Sequence, residues 1–91
     1  MKYFDWNQQK NKKLMKERKI SFEMVITCIK NGSILDKVKH PNQKKYPGQY
    51  IYIVEMDEYV YAVPFVEDDE KIFLKTIIPN RKLTKKYLQK L

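Results

Sequence analysis

The chain has one cysteine, one histidine, two glycines and four prolines in 91 residues. Cys28 alone excludes a disulfide framework and any zinc cluster built on cysteine. Gly32 and Gly48 are too few and too isolated for a glycine-rich phosphate loop. His40 has no spaced ligand set around it, and the carboxylates fall mostly in expected turns, so no metal and no other cofactor is expected. Serine or cysteine hydrolase chemistry fails as well: Ser21 reads as a helix cap, and Cys28 lies in a helix without a base partner. There is no apolar run of about 18 residues and no signal-peptide core. These absences, with a free thiol and lysine-rich composition, lead us to expect a cytoplasmic protein without a membrane span.

Positive charge is abundant and unevenly placed. The formal net charge is +8. Residues 51–70 hold seven acids (Glu55, Asp57, Glu58, Glu67, Asp68, Asp69, Glu70) and no Lys or Arg, whereas 71–91 hold seven bases and no acid. A folded domain with such blocks presents a positive face and a negative edge, and a strong positive face attracts nucleic acid.

The pattern predicts one domain over 1–91. Residues 1–6 read as a short opening strand. Asn7 is a good N-cap for a helix over 8–18, which lacks Gly, Pro and β-branched residues and places Asn11, Leu14, Met15 and Arg18 on one stripe. Ser21 caps a second helix, in which Phe22, Val25, Ile26 and Ile29 form one buried face, Ile20 staples against Val25, and Gly32 supplies a left-handed stop. The period then changes to two. Strands are expected over 34–39, 50–56, 59–66 and 71–78, with Asp57-Glu58 as a two-residue turn and Pro64 as an edge or bulge. Thr84 is expected to cap a closing helix with Tyr87, Leu88 and Leu91 on one side. The fold class is therefore α+β: N-terminal helices packed on a three- to four-stranded antiparallel sheet, with a short C-terminal helix.

With that turn, Tyr50, Tyr52, Tyr61, Val63 and Phe65 share one sheet face, and Ile51, Ile53, Val60 and Ala62 share the other. The aliphatic face is expected to take the helices, leaving the tyrosines to stack bases. The C-terminal segment places Arg81 and Lys82 before the expected helix and Lys85 and Lys86 in its first turn, a natural phosphate site. Arg81 is one of only two arginines beside 17 lysines, and a guanidinium is the better bidentate phosphate partner. Lys44, Lys45 and His40 share a basic loop, where a lone histidine is either exposed or engaged in acid–base work.

Phe4-Asp5-Trp6-Asn7, Lys10-Asn11, Ile20-Ser21-Phe22-Glu23 and Arg81-Lys82-Leu83-Thr84 resemble, in order and spacing, the motifs of the BrnT family of bacterial toxins. That resemblance implies the fold of RelE-type ribonucleases, metal-independent RNA cleavage, and silencing by a DNA-binding antitoxin. With that antitoxin it implies a 2:2 assembly. The chain departs from the family in having Arg18-Lys19 where His-Gly is common. On this reading Arg81 and Lys75 stabilise the phosphate, and Tyr52, Tyr61 or His40 moves protons. Lys82, Lys85, Lys86, Lys44, Lys45 and Tyr50 contact RNA. The alternatives are a non-catalytic nucleic-acid- or partner-binding module of the same fold, and an accessory protein that docks a basic partner through its acidic turns.

Overall fold

Asn11, near the middle of the first helix, is 3 % exposed, and both ends of its side-chain amide are satisfied. Its Oδ1 accepts from the Phe22 N–H at 2.8 Å, and its Nδ2 donates to Glu23 Oε1 at 2.8 Å. This one side chain joins the first helix to the exposed N–H groups that open the second. The computed structural model containing this contact describes residues 2–88.

Along the chain the elements are β1 (Tyr3–Asp5), α1 (Gln8–Arg18), α2 (Phe22–Lys30), β2 (Ile34–Lys39), β3 (Gln49–Met56), β4 (Tyr59–Glu67), β5 (Lys71–Leu74), β6 (Ile78–Pro79) and α3 (Arg81–Leu88). Helix caps follow the expected chemistry. Asn7 accepts from the Lys10 N–H at 3.0 Å, and Ser21 from the Met24 N–H at 3.2 Å. Lys19 closes α1 in the left-handed region, at φ 57°, and its N–H returns to the Met15 carbonyl. Ile20 and Val25 are both buried, as the staple requires. The stripe on α1 is narrower than expected, because Met15 is exposed while Asn11 and Leu14 are buried.

The architecture is α+β, and the sheet is larger than the three or four antiparallel strands expected. It has six strands in the order β1-β5-β4-β3-β2, with β6 also pairing β4, and it is mixed because β1 joins β5 in parallel. The expected last strand over 71–78 is two strands, and Pro64 explains the break. Lys75 N–H donates to the Pro64 carbonyl at 2.8 Å, so Pro64 turns its backbone toward this neighbour with no N–H to return. The outer partner of β4 therefore changes, from β5 at Phe65–Glu67 to β6 at Tyr61–Ala62.

The β3–β4 hairpin has the register expected from a two-residue turn, Val54 opposite Tyr61 and Tyr52 opposite Val63. Asp57 and Glu58 both lie in the left-handed region, at φ 56° and 61°, the geometry that lets a two-residue turn match the strand twist.

The helices cover the face opposite to the one expected. Leu14, Ile20, Phe22 and Val25 pack with Tyr52, Val54, Met56, Tyr61, Val63 and Phe65 in one cluster. The tyrosine rings supply much of the apolar area under the helices, and the large side chains fill the gap between helix and sheet. Ile53 and Val60, on the other face, are buried outside this cluster, and α3 packs against β4.

Thr84 is not the cap of α3. The helix begins at Arg81, and Asn80 caps it, its Oδ1 accepting from the Leu83 N–H at 2.9 Å. Thr84 lies one turn in, where its hydroxyl donates to the Asn80 carbonyl at 2.8 Å and accepts from the Val60 N–H at 3.0 Å. It ties α3 to an otherwise unpaired donor of β4. Leu91, assigned from sequence to the apolar side of this helix, lies outside the described residues.

Two stability changes follow from these contacts. Asn11→Leu strands the buried Phe22 N–H and should cost about 2–3 kcal/mol in denaturant unfolding, and Asn11→Asp, which keeps the acceptor but sets a buried carboxyl against Glu23, should also destabilise, more at neutral than at acid pH. Replacing Asp57-Glu58 by Asn-Gly relieves two left-handed non-glycine residues and should raise the unfolding free energy by about 1 kcal/mol.

Candidate nucleic-acid interface

The loop between β2 and β3, residues 40–48, is built by its own turn residues. His40 N–H donates to the Gln49 carbonyl at 2.9 Å, and Tyr46 N–H to the Asn42 carbonyl at 2.9 Å. Asn42 Oδ1 accepts from the Lys45 N–H at 3.1 Å. Gln43 spans the loop: its Nε2 donates to the carbonyls of His40 at 2.8 Å and Gln49 at 3.2 Å, and its Oε1 accepts from the Gly48 N–H. Gly48 sits at φ 72° with nothing against its open side, so glycine is needed for the backbone and not for space. A loop with this many internal bonds holds its side chains in place before any ligand arrives.

Those side chains meet Lys75. The Tyr46 ring lies 4.4 Å from the His40 ring, centroid to centroid, with Lys45 Nζ at 5.4 Å and Lys75 Nζ at 6.0 Å from its own centroid. Lys10 approaches from α1, its Nζ 3.4 Å from the Lys75 carbonyl. Pro64 allows that approach, because the N–H that would otherwise return to Lys75 in the ladder is missing. The ion pairs among the described residues are Lys2–Glu67, Lys37–Glu67 and Lys71–Asp5, none of which neutralises this cluster. Lys44 is exposed on the same loop. The result is an aromatic ring edged by uncompensated cations, which matches the stacking and charge needs of single-stranded nucleic acid.

Of the residues singled out from sequence, His40, Lys45 and Lys75 come together. Tyr46 joins them, Lys10 reaches the Lys75 backbone beside them, and neither was singled out as a site residue. The signal for Tyr46 was its place directly after Lys44-Lys45; Lys10 was one of four similar lysines on α1.

The His40 ring is oriented by its neighbour. Its Nδ1 accepts from the Asn42 N–H at 3.0 Å, so the neutral ring carries its proton on Nε2 and offers a donor outward. That arrangement suits holding a phosphate oxygen better than taking a proton from a hydroxyl.

Tyr52 and Tyr61 are only 5 % and 9 % exposed. Tyr52 stacks on Phe65 at 4.1 Å and 13°, and Tyr61 lies 5.6 Å from Tyr59. Burial pushes both phenols above their ordinary value, with Glu67 adding to the effect at Tyr52 and Asp57 at Tyr61. Both rings serve the core, which is where the helices placed them. Tyr50 is half-buried, 6.0 Å from Phe65, with Lys37 Nζ 5.7 Å from its centroid.

Arg81, Lys82, Lys85 and Lys86 form a second basic region along α3. Arg81 and Lys82 occupy its first turn, while Lys85 and Lys86 fall in the last turn of the described helix, because the cap is Asn80. All four are exposed, and Lys86 Nζ lies over the Tyr87 ring. Thr84 anchors this helix at Val60, opposite Glu55, whereas the loop joins β3 at Gln49, opposite Val66. Six residues of extended strand, roughly 20 Å, separate the two anchor points.

Among the described residues no group of three or more His, Cys, Asp and Glu side chains is placed to hold a metal. The Cys28 thiol is pushed up by burial and then by Glu55, and it points at the Glu55 carbonyl at 3.8 Å, an inert setting. Two surface clefts lie elsewhere, one of about 430 Å³ beside the Asp68–Lys71 turn and one of about 330 Å³ between β1 and α2.

Comparison with curated proteins and with solved structures returns no match. A protein family described as a domain of unknown function, DUF4258, matches residues 12–79. The match opens inside α1 and ends with β6, so it takes in α2, the basic loop, the hairpin and Lys75 and leaves β1 and α3 outside. Covering about three-quarters of the chain, it shows that the protein belongs to the DUF4258 family.

Proposed function

We propose that the protein is the toxin of a type II toxin–antitoxin pair, resembling the metal-independent RNA endonucleases of the BrnT family. The observation that carries this reading is the convergence of His40, Lys45 and Lys75 on Tyr46, with Lys10 at the Lys75 carbonyl and no carboxylate paired with any of the three lysines. Support also comes from the motifs that carry the resemblance, since Asn11, Ser21, Phe22 and Glu23 interlock α1 with α2. A DNA-binding antitoxin, in a 2:2 assembly or otherwise, is the partner this reading implies.

In cleavage of this kind the RNA 2′-oxygen gives up its proton and bonds to the adjacent phosphorus, the P–O5′ bond breaks, and the 5′-oxygen leaves with a proton as a hydroxyl opposite a 2′,3′-cyclic phosphate; the developing dianion needs cations and donors beside it. Lys75, Lys45 and the His40 Nε2–H would supply them, with a base stacked on Tyr46. Arg81, with Lys82, Lys85 and Lys86, would extend the contact along the RNA from its separate position on α3. The second reading is a module that holds RNA without cutting it. Two observations favour it: His40 Nδ1 is occupied by the Asn42 N–H, and Tyr52 and Tyr61 are enclosed in the core.

Incubating the purified chain with single-stranded RNA in chelator separates the two. Chelator-resistant fragments ending in cyclic phosphate are expected for the endonuclease, and intact RNA that is still bound with steep salt dependence for the module. In either case Lys75→Ala should lower the slope of log affinity against log salt by about 0.7, and Tyr46→Ala should weaken binding by about 1–3 kcal/mol. Affinity and slope unchanged in both variants would remove this cluster from the function.

A further inference from the structure

The sheet edge formed by β1 has features that neither the core nor the basic loop uses. Tyr3 N–H donates to the Glu70 carbonyl at 3.1 Å, in a parallel register that aligns Tyr3 with Lys71. In such a ladder alternate residues turn both backbone groups to the same neighbour. Phe4 therefore directs its N–H and C=O away from β5, toward the free edge. Beside that edge lies the cleft of about 330 Å³, lined by Lys2, Tyr3, Phe4, Trp6, Ile26 and Lys30. Phe4, Trp6 and Ile26 are packed against the core and form its apolar floor.

Two lysines, Lys2 and Lys30, line it. Lys30 has no carboxylate partner among the described residues, and Lys2 uses one of its three N–H donors on Glu67 at 2.7 Å. The Trp6 indole N–H is enclosed beside Phe22 with no acceptor, the single buried side-chain polar atom left unpaired among the described residues.

We propose that this groove docks an extended segment of a partner protein, added as an outer strand along β1. The segment carries apolar side chains toward Trp6 and Ile26 and carboxylates toward Lys2 and Lys30. The Phe4 backbone supplies main-chain hydrogen bonds, the floor selects apolar side chains, and the two lysines select acidic flanks. A turn of the Trp6 ring toward the segment brings its N–H to an acceptor. A partner chain is favoured over a second copy, because two chains at +8 repel and the Asp68 carboxylate is already bonded to the N–H groups of its own turn. The groove lies at the opposite sheet edge from β2, and the proposal does not rest on the RNA reading.

Trp6 is the only tryptophan, so its emission reports on the groove directly. The probe is a short synthetic peptide with two leucines one residue apart, flanked by aspartates. Its controls carry lysines for the aspartates or serines for the leucines. The aspartate–leucine peptide should change Trp6 emission saturably and shift the indole N–H resonance, with affinity that falls as salt rises, and both controls should bind more weakly. Lys30→Glu, at an exposed helix position, should weaken binding by about fivefold or more, and Ile26→Ser should weaken it at any salt. No emission change, equal binding of the lysine control, or undiminished affinity in Lys30→Glu would each overturn the proposal.

Discussion

The fold depends on Asn11. A primary amide buried to 3 % exposure is costly unless each of its polar ends is paired, and here one end holds the first N–H of α2 while the other holds Glu23. With Lys19 turning the chain left-handed and Ser21 capping α2, this contact sets the angle between the two helices. That angle presents Leu14, Phe22 and Val25 together to one face of the sheet. The choice of covered face fixes the fate of Tyr52 and Tyr61, and so leaves the ring beside His40, Lys45 and Lys75 to a residue in a loop.

Pro64 exerts a comparable influence on the other side of the molecule. A proline in a strand with neighbours on both sides removes a donor that the ladder would use, and the chain responds by exchanging β5 for β6 beside β4. The exchange frees the Lys75 carbonyl for Lys10 and places the Lys75 ammonium near Tyr46. It also delivers Asn80 and Thr84 to the first residues of β4, where they anchor α3. The two basic regions thus stand apart for a backbone reason, the position of one missing N–H.

Charge is managed differently at the two sheet edges and at the loop. Glu67 takes Lys2 at 2.7 Å and Lys37 at 3.9 Å, and the bond from Lys2 holds its carboxyl below the usual carboxylate range. On β2 the Asp36 carboxylate accepts the Lys37 N–H at 2.8 Å, which occupies a donor of that edge, and the lysines along it discourage pairing with another strand. The lysines around Tyr46 have no such partners. Cations left without carboxylates are the ones available to phosphate.

The sequence by itself determined the local elements. Asn7 and Ser21 announced the helix starts through their side-chain oxygens, the apolar spacing of α2 set its buried stripe, and Asp57-Glu58 set the hairpin register, because each depends on residues a few positions apart. It also marked His40, Lys45 and Lys75 as candidate site residues. Only the tertiary structure decided which sheet face the helices cover, since both faces carry enough apolar area and the choice is made by packing volume across the whole core. It decided likewise that Tyr52 and Tyr61 are buried, that Asn80 and not Thr84 caps α3, and that Lys75 meets the His40 loop while Arg81 does not. The last two outcomes follow from long-range pairing of β4 with two successive strands, a competition that no local window of sequence contains.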